Sequence, residues 1–189
     1  MPRLNLLVLN LLVGLVLLSA GLSAHADDKA DAQAELRSMR KEALDLLYKE
    51  SPQAKKAIRA AAGYGVFGVV DAQLLILGGG GGRGLVRDNL TGRDTFMRVG
   101  SVSAGLGVGF KDVRTVLVFK HRDTLKQFLE KGWLFSGEAQ AVAKTDGQGG
   151  NADDRDSPLG IQVYQLTKTG LMAHGSMQGT KYWKDEELN

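Results

Sequence analysis

The sequence has no cysteine, and histidine and proline each occur only three times. The lack of cysteine excludes a disulfide framework, a thiolate nucleophile and a lipid attached at a lipobox cysteine. The chain has neither a Gly-x-Ser-x-Gly elbow nor a Gly-Lys-Ser/Thr phosphate loop, so it lacks these signatures of serine hydrolases and P-loop proteins. No group of His, Asp and Glu residues has the spacing of a metal site. We therefore expect a protein that is not an enzyme, with no cofactor and no catalytic or metal-binding residues.

The first 26 residues have the pattern of an export signal. A short basic start precedes an apolar stretch over residues 4–18, and the segment ends in a small-x-small pattern at Ala26. This pattern predicts a secretory signal peptide over residues 1–26, cleaved near Ala26, and a periplasmic location. An uncleaved inner-membrane anchor is the alternative interpretation. The remaining residues 27–189 are long enough for one domain with its own core, which we place at about residues 30–180.

Helical patterns occur at the start and in the middle of this mature chain. Apolar residues recur every three or four positions over Ala30–Tyr48, which is typical of an amphipathic helix. Pro52 marks the first turn of a second, shorter helix. Asp123 begins a third helix, which ends at Gly132.

Glycine recurs between residues 63 and 119 within apolar, strand-like sequence. Each glycine would destabilise a helix, and a flexible linker would not carry the intervening valine, leucine and phenylalanine. Glycine inside strands marks sharp twist, a bulge, or the close approach of another backbone or a ligand. The segment therefore predicts a strongly bent sheet with one face poor in side chains.

The apolar segments in this region predict several strands. Four of them read as separate strands, at Gly65–Val70, Ala72–Leu77, Val99–Phe110 and Val113–Phe119. A hairpin is predicted across Asn89–Gly92, and the charged residues from Lys181 onward predict a frayed terminus. The expected fold class is α+β: a single domain with N-terminal helices packed on a strongly twisted, glycine-rich antiparallel sheet or partial barrel.

The run of five consecutive glycines matches a dinucleotide-binding fingerprint at Gly79, Gly81 and Gly84. That fingerprint requires a helix after the glycines, whereas the residues that follow here predict a strand and a turn. Two interpretations remain. Successive amides could form an anion-binding nest beside Arg83 and Arg87, or the run could be a plain bulged turn.

Positive charge is concentrated in the middle of the chain. Residues 51–132 contain 13 basic and 6 acidic side chains, whereas the flanking segments are net acidic. This distribution favours an anionic partner, and a solvated surface whose charges cancel in three dimensions fits it equally well. The predicted export and the lack of aromatic residues between the arginines argue against nucleic acid. The candidate lipid-binding residues are Lys55, Lys56 and Arg59 on the second helix, and Arg83, Arg87, Arg93 and Arg98 around the hairpin.

Five segments, taken in order, resemble the SYLF domain family. They are KKAIRAAAGYGVFGVV (residues 55–70), GGGGGRGLVR (78–87), VGSVSAGLGVGFKDVRTVLVF (99–119), LFSGEAQAVA (134–143) and LTKTGLMAHGSMQG (166–179). The resemblance covers roughly residues 30–180, which is nearly the whole predicted mature chain. The chain departs from the family pattern at Met172, where an aromatic residue is common. A second departure is Ala62-Gly63, where the second helix more often ends at a Phe-Pro pair.

The resemblance implies a compact domain of helices and a sheet without known enzymatic activity. Eukaryotic members of the family bind lipid, with a preference for phosphoinositides, and actin; bacterial members are typically exported and regarded as lipid-binding. Actin and phosphoinositides are absent from a bacterial-type envelope, so the family does not identify the ligand of this chain.

These observations together predict a non-catalytic module that binds anionic phospholipid at a membrane surface in the cell envelope. The alternative is a structural or protein-interaction component of the envelope. Such a protein would use the small-residue faces at Gly105–Gly109 and Ala139–Ala143 to form a homo-oligomer or to bind another envelope protein. An enzyme that uses the glycine run for a nucleotide is a third, disfavoured interpretation.

Overall fold

The computed structural model describes residues 28–135, 160–167, 170–171 and 179–189, with the side chains of 73–77, 103–111 and 134–135 outside the description. The three helices are α1 (28–50), α2 (Pro52–Ala60) and α3 (Arg122–Lys131). The six strands are β1 (Gly63–Asp88), β2 (Asp94–Phe119), β3 (Trp133–Phe135), β4 (Ile161–Thr167), β5 (Gly170–Leu171) and β6 (Thr180–Lys184). The three predicted helices are confirmed. The predicted signal peptide and the small-residue face at Ala139–Ala143 lie outside the described residues.

All six strands belong to one antiparallel sheet in which β2 is central. The strand order is β3-β6-β2-β4-β5, and β1 pairs with the other edge of β2. Strand β4 pairs with the end of β2 at residues 114–119, and β6 pairs with its beginning at residues 97–101. The sheet stays open rather than closing into a barrel. The predicted α+β single-domain fold, with N-terminal helices on an antiparallel sheet, is confirmed.

Strands β1 and β2 form one hairpin whose arms are each 26 residues long. The pairing runs from Gly63 opposite Phe119 to Arg87 opposite Asp94. A straight strand of this length would extend for about 85 Å, roughly twice the diameter of a domain of this size. The hairpin must therefore bend. A β-bulge near Leu75, at which β2 carries one extra residue, lies at the middle of β1.

The two halves of β1 lie against each other at backbone distance. A Cβ atom on Gly82 would overlap the carbonyl oxygen of Gly68. A Cβ atom on Gly80 would lie 2.6 Å from the carbonyl oxygen of Val70, and Gly84 lies on the same face of the strand. Because this face carries no side chains, the carbonyl oxygens of one half can approach the Cα–H groups of the other.

The glycine run therefore differs from both interpretations offered by the sequence. It lies inside β1, where Gly81 is opposite Gly100 and Gly82 is opposite Val99. Successive amides of a strand point in opposite directions, so they cannot converge on one anion as a nest requires. The separate strands predicted at Gly65–Val70 and Ala72–Leu77 are both parts of β1, and those predicted at Val99–Phe110 and Val113–Phe119 are both parts of β2. The predicted hairpin across Asn89–Gly92 is confirmed.

The hydrophobic core has two main parts, one on each face of the bent hairpin. The first part lies between the two halves and contains Phe67, Val86, Leu117, Phe128 and Tyr182. The rings of Phe67 and Tyr182 meet edge to face with centroids 4.6 Å apart, a geometry favoured by aromatic quadrupoles. Burial raises the pKa of Tyr182, so its hydroxyl stays protonated.

The second part of the core places α1 and α2 on the outer face of the sheet. Leu47 of α1 and Ile58 of α2 pack against Val116, Val118 and Tyr164. Because Leu117 and its neighbours face the first cluster, this segment of β2 is covered on both sides. Such double coverage explains the continuous apolar run from Val113 to Phe119 in the sequence.

The C-terminal residues are held by strand pairing, burial and hydrogen bonds, so the frayed terminus expected from the sequence was wrong. Strand β6 joins the sheet, and both Asp185 and Leu188 are buried. The side chain of Asn189 donates a 2.7 Å hydrogen bond to the carbonyl oxygen of Phe96 and accepts one from the Phe96 amide. Gln33 of α1 donates a side-chain hydrogen bond to the carbonyl oxygen of Leu188. This terminal segment thus ties the first helix to β2.

Substitution of the inward-facing glycines should test the close approach of the two halves of β1. We expect Gly82→Ala to lower the free energy of unfolding by about 3 kcal/mol or more, because its Cβ overlaps backbone that cannot move independently. The matched control is Gly81→Ala, whose Cβ would lie 3.7 Å from the nearest atom, the carbonyl oxygen of Val99. Urea unfolding measures both; equal stability of the two variants would contradict the packing.

Candidate functional site

Helix α2 presents three cations on one exposed face. Its apolar residues, Ala54 and Ile58, are buried against the sheet. Lys55, Lys56 and Arg59 occupy the opposite face, where they are exposed. With Pro52 and Ala60 they line a shallow surface depression. We call Lys55, Lys56 and Arg59 the α2 surface. The structure thus brings together the first of the two groups of basic residues predicted from the sequence.

Tyr48 of α1 borders the α2 surface. The Lys55 ammonium lies 5.8 Å from the centroid of the Tyr48 ring, which is within cation–π range. Burial raises the pKa of Tyr48, and nearby Tyr64 raises it further, whereas the positive charge of Arg59 lowers it. These influences show that Arg59 and Tyr48 lie within electrostatic reach of each other. The result is a cationic surface edged by a half-buried aromatic ring.

The cations of the α2 surface form no ion pair with any described residue. Three of the four hairpin arginines proposed from the sequence, in contrast, form ion pairs with carboxylates. Two of the hairpin arginines, Arg83 and Arg98, each bond the same two carboxylates of the C-terminal segment. Those carboxylates belong to Asp185, which is fully buried, and Glu187, which is exposed. The hydrogen bond to Asp185 raises the pKa of Arg98 above its ordinary value. The charge of these two arginines is therefore balanced locally.

A third carboxylate, that of Asp94, binds another of the predicted arginines. Arg87 and Arg40 both donate to one oxygen of Asp94, at 3.0 and 2.7 Å. Arg37 approaches the other oxygen at 3.5 Å. Of the four hairpin arginines predicted to bind lipid, only Arg93 is exposed without an ion pair to a described residue. The sequence signal that was missed is the acidic C-terminal stretch, whose position beside the hairpin arginines depends on β6.

Asp88 organises the turn between β1 and β2. Its carboxylate accepts hydrogen bonds from the amides of Leu90 and Thr91, at 2.8 and 3.1 Å. It also accepts two from the Arg122 guanidinium, at 2.7 and 3.0 Å. Principally because of Arg122, the pKa of Asp88 lies well below its ordinary range. The turn is thereby fixed to the beginning of α3.

The same turn is fixed to α2 by Asn89. Its side-chain amide donates to the carbonyl oxygens of Ile58 and Ala61, at 2.8 and 3.0 Å. Its backbone amide donates to the carbonyl oxygen of Ala62. Because Ile58 lies in the last turn of α2 and Ala61 is its C-cap, the Asn89 side chain acts as an external cap for this helix. The hairpin turn and the α2 surface are therefore neighbours at one end of the molecule.

The described residues contain no other arrangement that suggests chemistry. Among them, no group of three or more His, Asp or Glu side chains could hold a metal ion. No helix in the described part of the chain combines the length and the apolar content needed to cross a bilayer.

Removal of the buried carboxylate should destabilise the protein more than removal of the exposed one. We expect Asp185→Asn to lower the free energy of unfolding by about 2 kcal/mol, because a buried carboxylate that forms ion pairs with two arginines loses its charge. Glu187→Gln should change it by less than about 1 kcal/mol, because the side chain is exposed. Thermal and urea unfolding measure both; a larger effect for Glu187→Gln would contradict this assignment.

The depressed pKa of Asp88 predicts a dependence of stability on pH. Because the pKa is lower in the folded chain, the stabilising contribution is present above the unfolded value of about 3.9 and is lost as pH falls below it. We expect the fall in Tm between pH 5 and pH 3 to be smaller for Asp88→Asn than for the unchanged protein. The reference variant is Asp45→Asn, whose carboxylate is exposed; equal slopes for all three proteins would be the contrary result.

Comparison with known proteins agrees with the resemblance found in the sequence, and the family model covers the last three of the five segments, from residue 100 onward. A family model described as "Ysc84: Las17-binding protein actin regulator" matches residues 100–189. Beta cell expansion factor A from the bacterium Aeromonas veronii is 28% identical over 158 residues, which is 84% of this chain and 59% of that protein. The chain thus spans about three fifths of the length of this curated relative. The SYLF family is a family of binding domains that is not known for enzymatic activity. Over residues 100–189 this chain is thus similar to the SYLF domain family, also called Ysc84.

Proposed function

We propose that this protein is a non-catalytic module that binds anionic phospholipid at a membrane surface, and that the α2 surface is its principal contact. The observation that carries the proposal is the exposure of Lys55, Lys56 and Arg59 on one helix face without a carboxylate partner among the described residues. Similarity to the SYLF family supports lipid binding in general. The charge of the α2 surface supports the choice of an anionic headgroup.

The expected contribution of the α2 surface to membrane affinity follows from its three cations, none of which forms an ion pair with a described residue. Each Lys or Arg near an anionic membrane contributes about 1 kcal/mol, so the α2 surface supplies about 3 kcal/mol, or roughly two orders of magnitude in affinity. Tyr48 adds an aromatic ring of the kind that favours the membrane interface. Such binding is weakened by salt, because counterions screen exposed charges within about 10 Å at 0.1 M.

The hairpin arginines enter the proposal unequally. Arg83, Arg87 and Arg98 already bond carboxylates, so a lipid phosphate would have to compete with Asp185 or Asp94 for them. Arg93 has no such competitor among the described residues, and it lies in the turn that Asn89 holds against α2. We therefore assign Arg93 to the same contact as the α2 surface and give the other three a smaller part.

The proposed location is the periplasm, where the module would face an anionic leaflet. This location rests on the export pattern of the first 26 residues and on the bacterial origin of the relative. The alternative function, self-association or protein binding through small-residue faces, depends on residues whose side chains are not described. It stays a prediction, and the size of the protein in solution without lipid distinguishes it.

Neutralisation of the α2 surface should weaken membrane binding selectively. We expect the triple variant Lys55→Gln, Lys56→Gln, Arg59→Gln to bind vesicles of phosphatidylglycerol and phosphatidylcholine about 100-fold more weakly than the unchanged protein. Binding is measured by co-sedimentation at low salt, with pure phosphatidylcholine vesicles as the neutral reference. The difference should shrink as salt increases.

The matched control removes three lysines that each have a carboxylate neighbour. Lys41, Lys126 and Lys184 pair with Asp45, Glu130 and Glu186. Replacement of all three by Gln changes the net charge by the same amount but should lower vesicle affinity much less. Equal losses in the two triple variants would show that net charge alone attracts the protein. Equal binding of the unchanged protein to anionic and neutral vesicles, or to neither, would overturn the proposal.

A further inference from the structure

The turn at the end of the β1–β2 hairpin is closely held. Besides the bonds to Asp88 described above, the Asp88 amide donates to the carbonyl oxygen of Arg93, and the Gly92 amide donates to that of Asp88. Gly92 has a φ of 69°, a left-handed conformation that glycine adopts without strain. We call residues 89–92 the hairpin tip. Its backbone is fixed by hydrogen bonds to α2, to α3 and within itself.

This fixed tip exposes an apolar side chain. Leu90 is 79% exposed, more than any other large hydrophobic residue in the described part of the chain. The turn uses only the backbone amide of Leu90, which donates to Asp88. A polar residue at position 90 could therefore form the same turn. Polar residues are the usual occupants of such turns.

Two cations that form no ion pair with a described residue, Arg59 and Arg93, lie near Leu90 in the fold or in the sequence. The preceding residue, Asn89, contacts the last turn of α2, which includes Arg59 of the α2 surface. Arg93, exposed and without an ion pair to a described residue, follows the tip. An isolated exposed leucine needs no explanation on a protein surface. The Asp88 carboxylate beside Leu90 is already paired with Arg122, whereas Arg59 and Arg93 form no ion pair with a described residue. A rigidly held leucine near such cations has the chemistry of a membrane-inserting loop, because the cations attract headgroups and the leucine reaches the acyl chains.

We propose that Leu90 is an apolar anchor that enters the acyl-chain region of an anionic bilayer when the α2 surface meets the headgroups. This inference rests on the proposed function, since it assigns the residue that turns electrostatic contact into insertion. Because the hydrogen bonds of Asp88 and Asn89 fix the tip beforehand, insertion requires no ordering of the turn. The anchor is too small to hold the protein on a neutral membrane by itself.

The natural lack of cysteine allows a direct test of insertion in the full chain. A single cysteine is introduced as Leu90→Cys and labelled with an environment-sensitive fluorophore. The control is Val102→Cys; Val102 is 67% exposed and lies about 30 Å from the tip along β2. With phosphatidylglycerol-containing vesicles, we expect a blue shift of the label at position 90 that brominated acyl chains quench. The label at position 102 should keep its aqueous spectrum.

A second measurement separates the anchor from the charges. We expect Leu90→Ser to weaken binding to anionic vesicles about tenfold, the value for withdrawal of one leucine from a lipid environment, with no change in Tm. This factor should persist as salt increases, because burial of apolar surface is not screened. The loss caused by neutralising the α2 surface should instead diminish with salt. Val102→Ser should bind as the unchanged protein does.

The outcomes distinguish this inference from the proposed function. If the protein binds anionic vesicles but the label at position 90 stays in water and Leu90→Ser binds normally, the anchor is wrong and electrostatic lipid binding stands. If the unchanged protein does not bind anionic vesicles, the proposed function itself fails. A loss for Leu90→Ser that disappears with salt, or equal shifts at positions 90 and 102, would also overturn the anchor.

Discussion

The contact between the two halves of β1 is the constraint on which the rest of the fold depends. A hairpin with 26-residue arms can belong to a domain of this size only if it folds back on itself. The return path places Gly82 against the backbone of Gly68, at a distance that no side chain permits. Because the halves approach so closely, the residues beside the glycine face, such as Phe67 and Val86, can share one core with α3 and β6.

The folded-back hairpin also determines which positive charges are available to a ligand. Strand β6 pairs with the beginning of β2 and thereby delivers Asp185 and Glu187 to Arg83 and Arg98. These two arginines therefore serve to attach the C-terminal segment, and its carboxylates balance their positive charge. Helix α2 packs on the outer face of the sheet, and its cations form no ion pair with this acidic stretch or with any other described residue. The basic middle of the sequence thus separates into a structural part and an accessible part.

The hairpin tip links the folded-back hairpin to the accessible cations of α2. Asp88 and Asn89 take part in six side-chain hydrogen bonds at this turn. Two lie within the turn, two attach it to α2 and two attach it to α3. The bonds of Asn89 hold the hairpin tip, which carries Leu90 and is followed by Arg93, against the end of α2. One end of the molecule therefore combines the exposed cations of the α2 surface, the half-buried ring of Tyr48 and the exposed side chain of Leu90. A membrane interface satisfies all three, because it offers negative headgroups, an amphipathic boundary and apolar chains within a short distance.

The sequence by itself determined the local elements: the helices, the hairpin turn at Asn89–Gly92 and the apolar run that β2 buries on both faces. Periodicity and glycine placement depend on neighbouring residues, so they can be read without the fold. It also showed the basic middle, but it could not distinguish Arg98, which bonds a carboxylate, from Lys56, which bonds none among the described residues. Only tertiary structure decided that, because Asp185 is distant in sequence and arrives through β6. It likewise decided that the glycine run faces its own strand rather than a ligand.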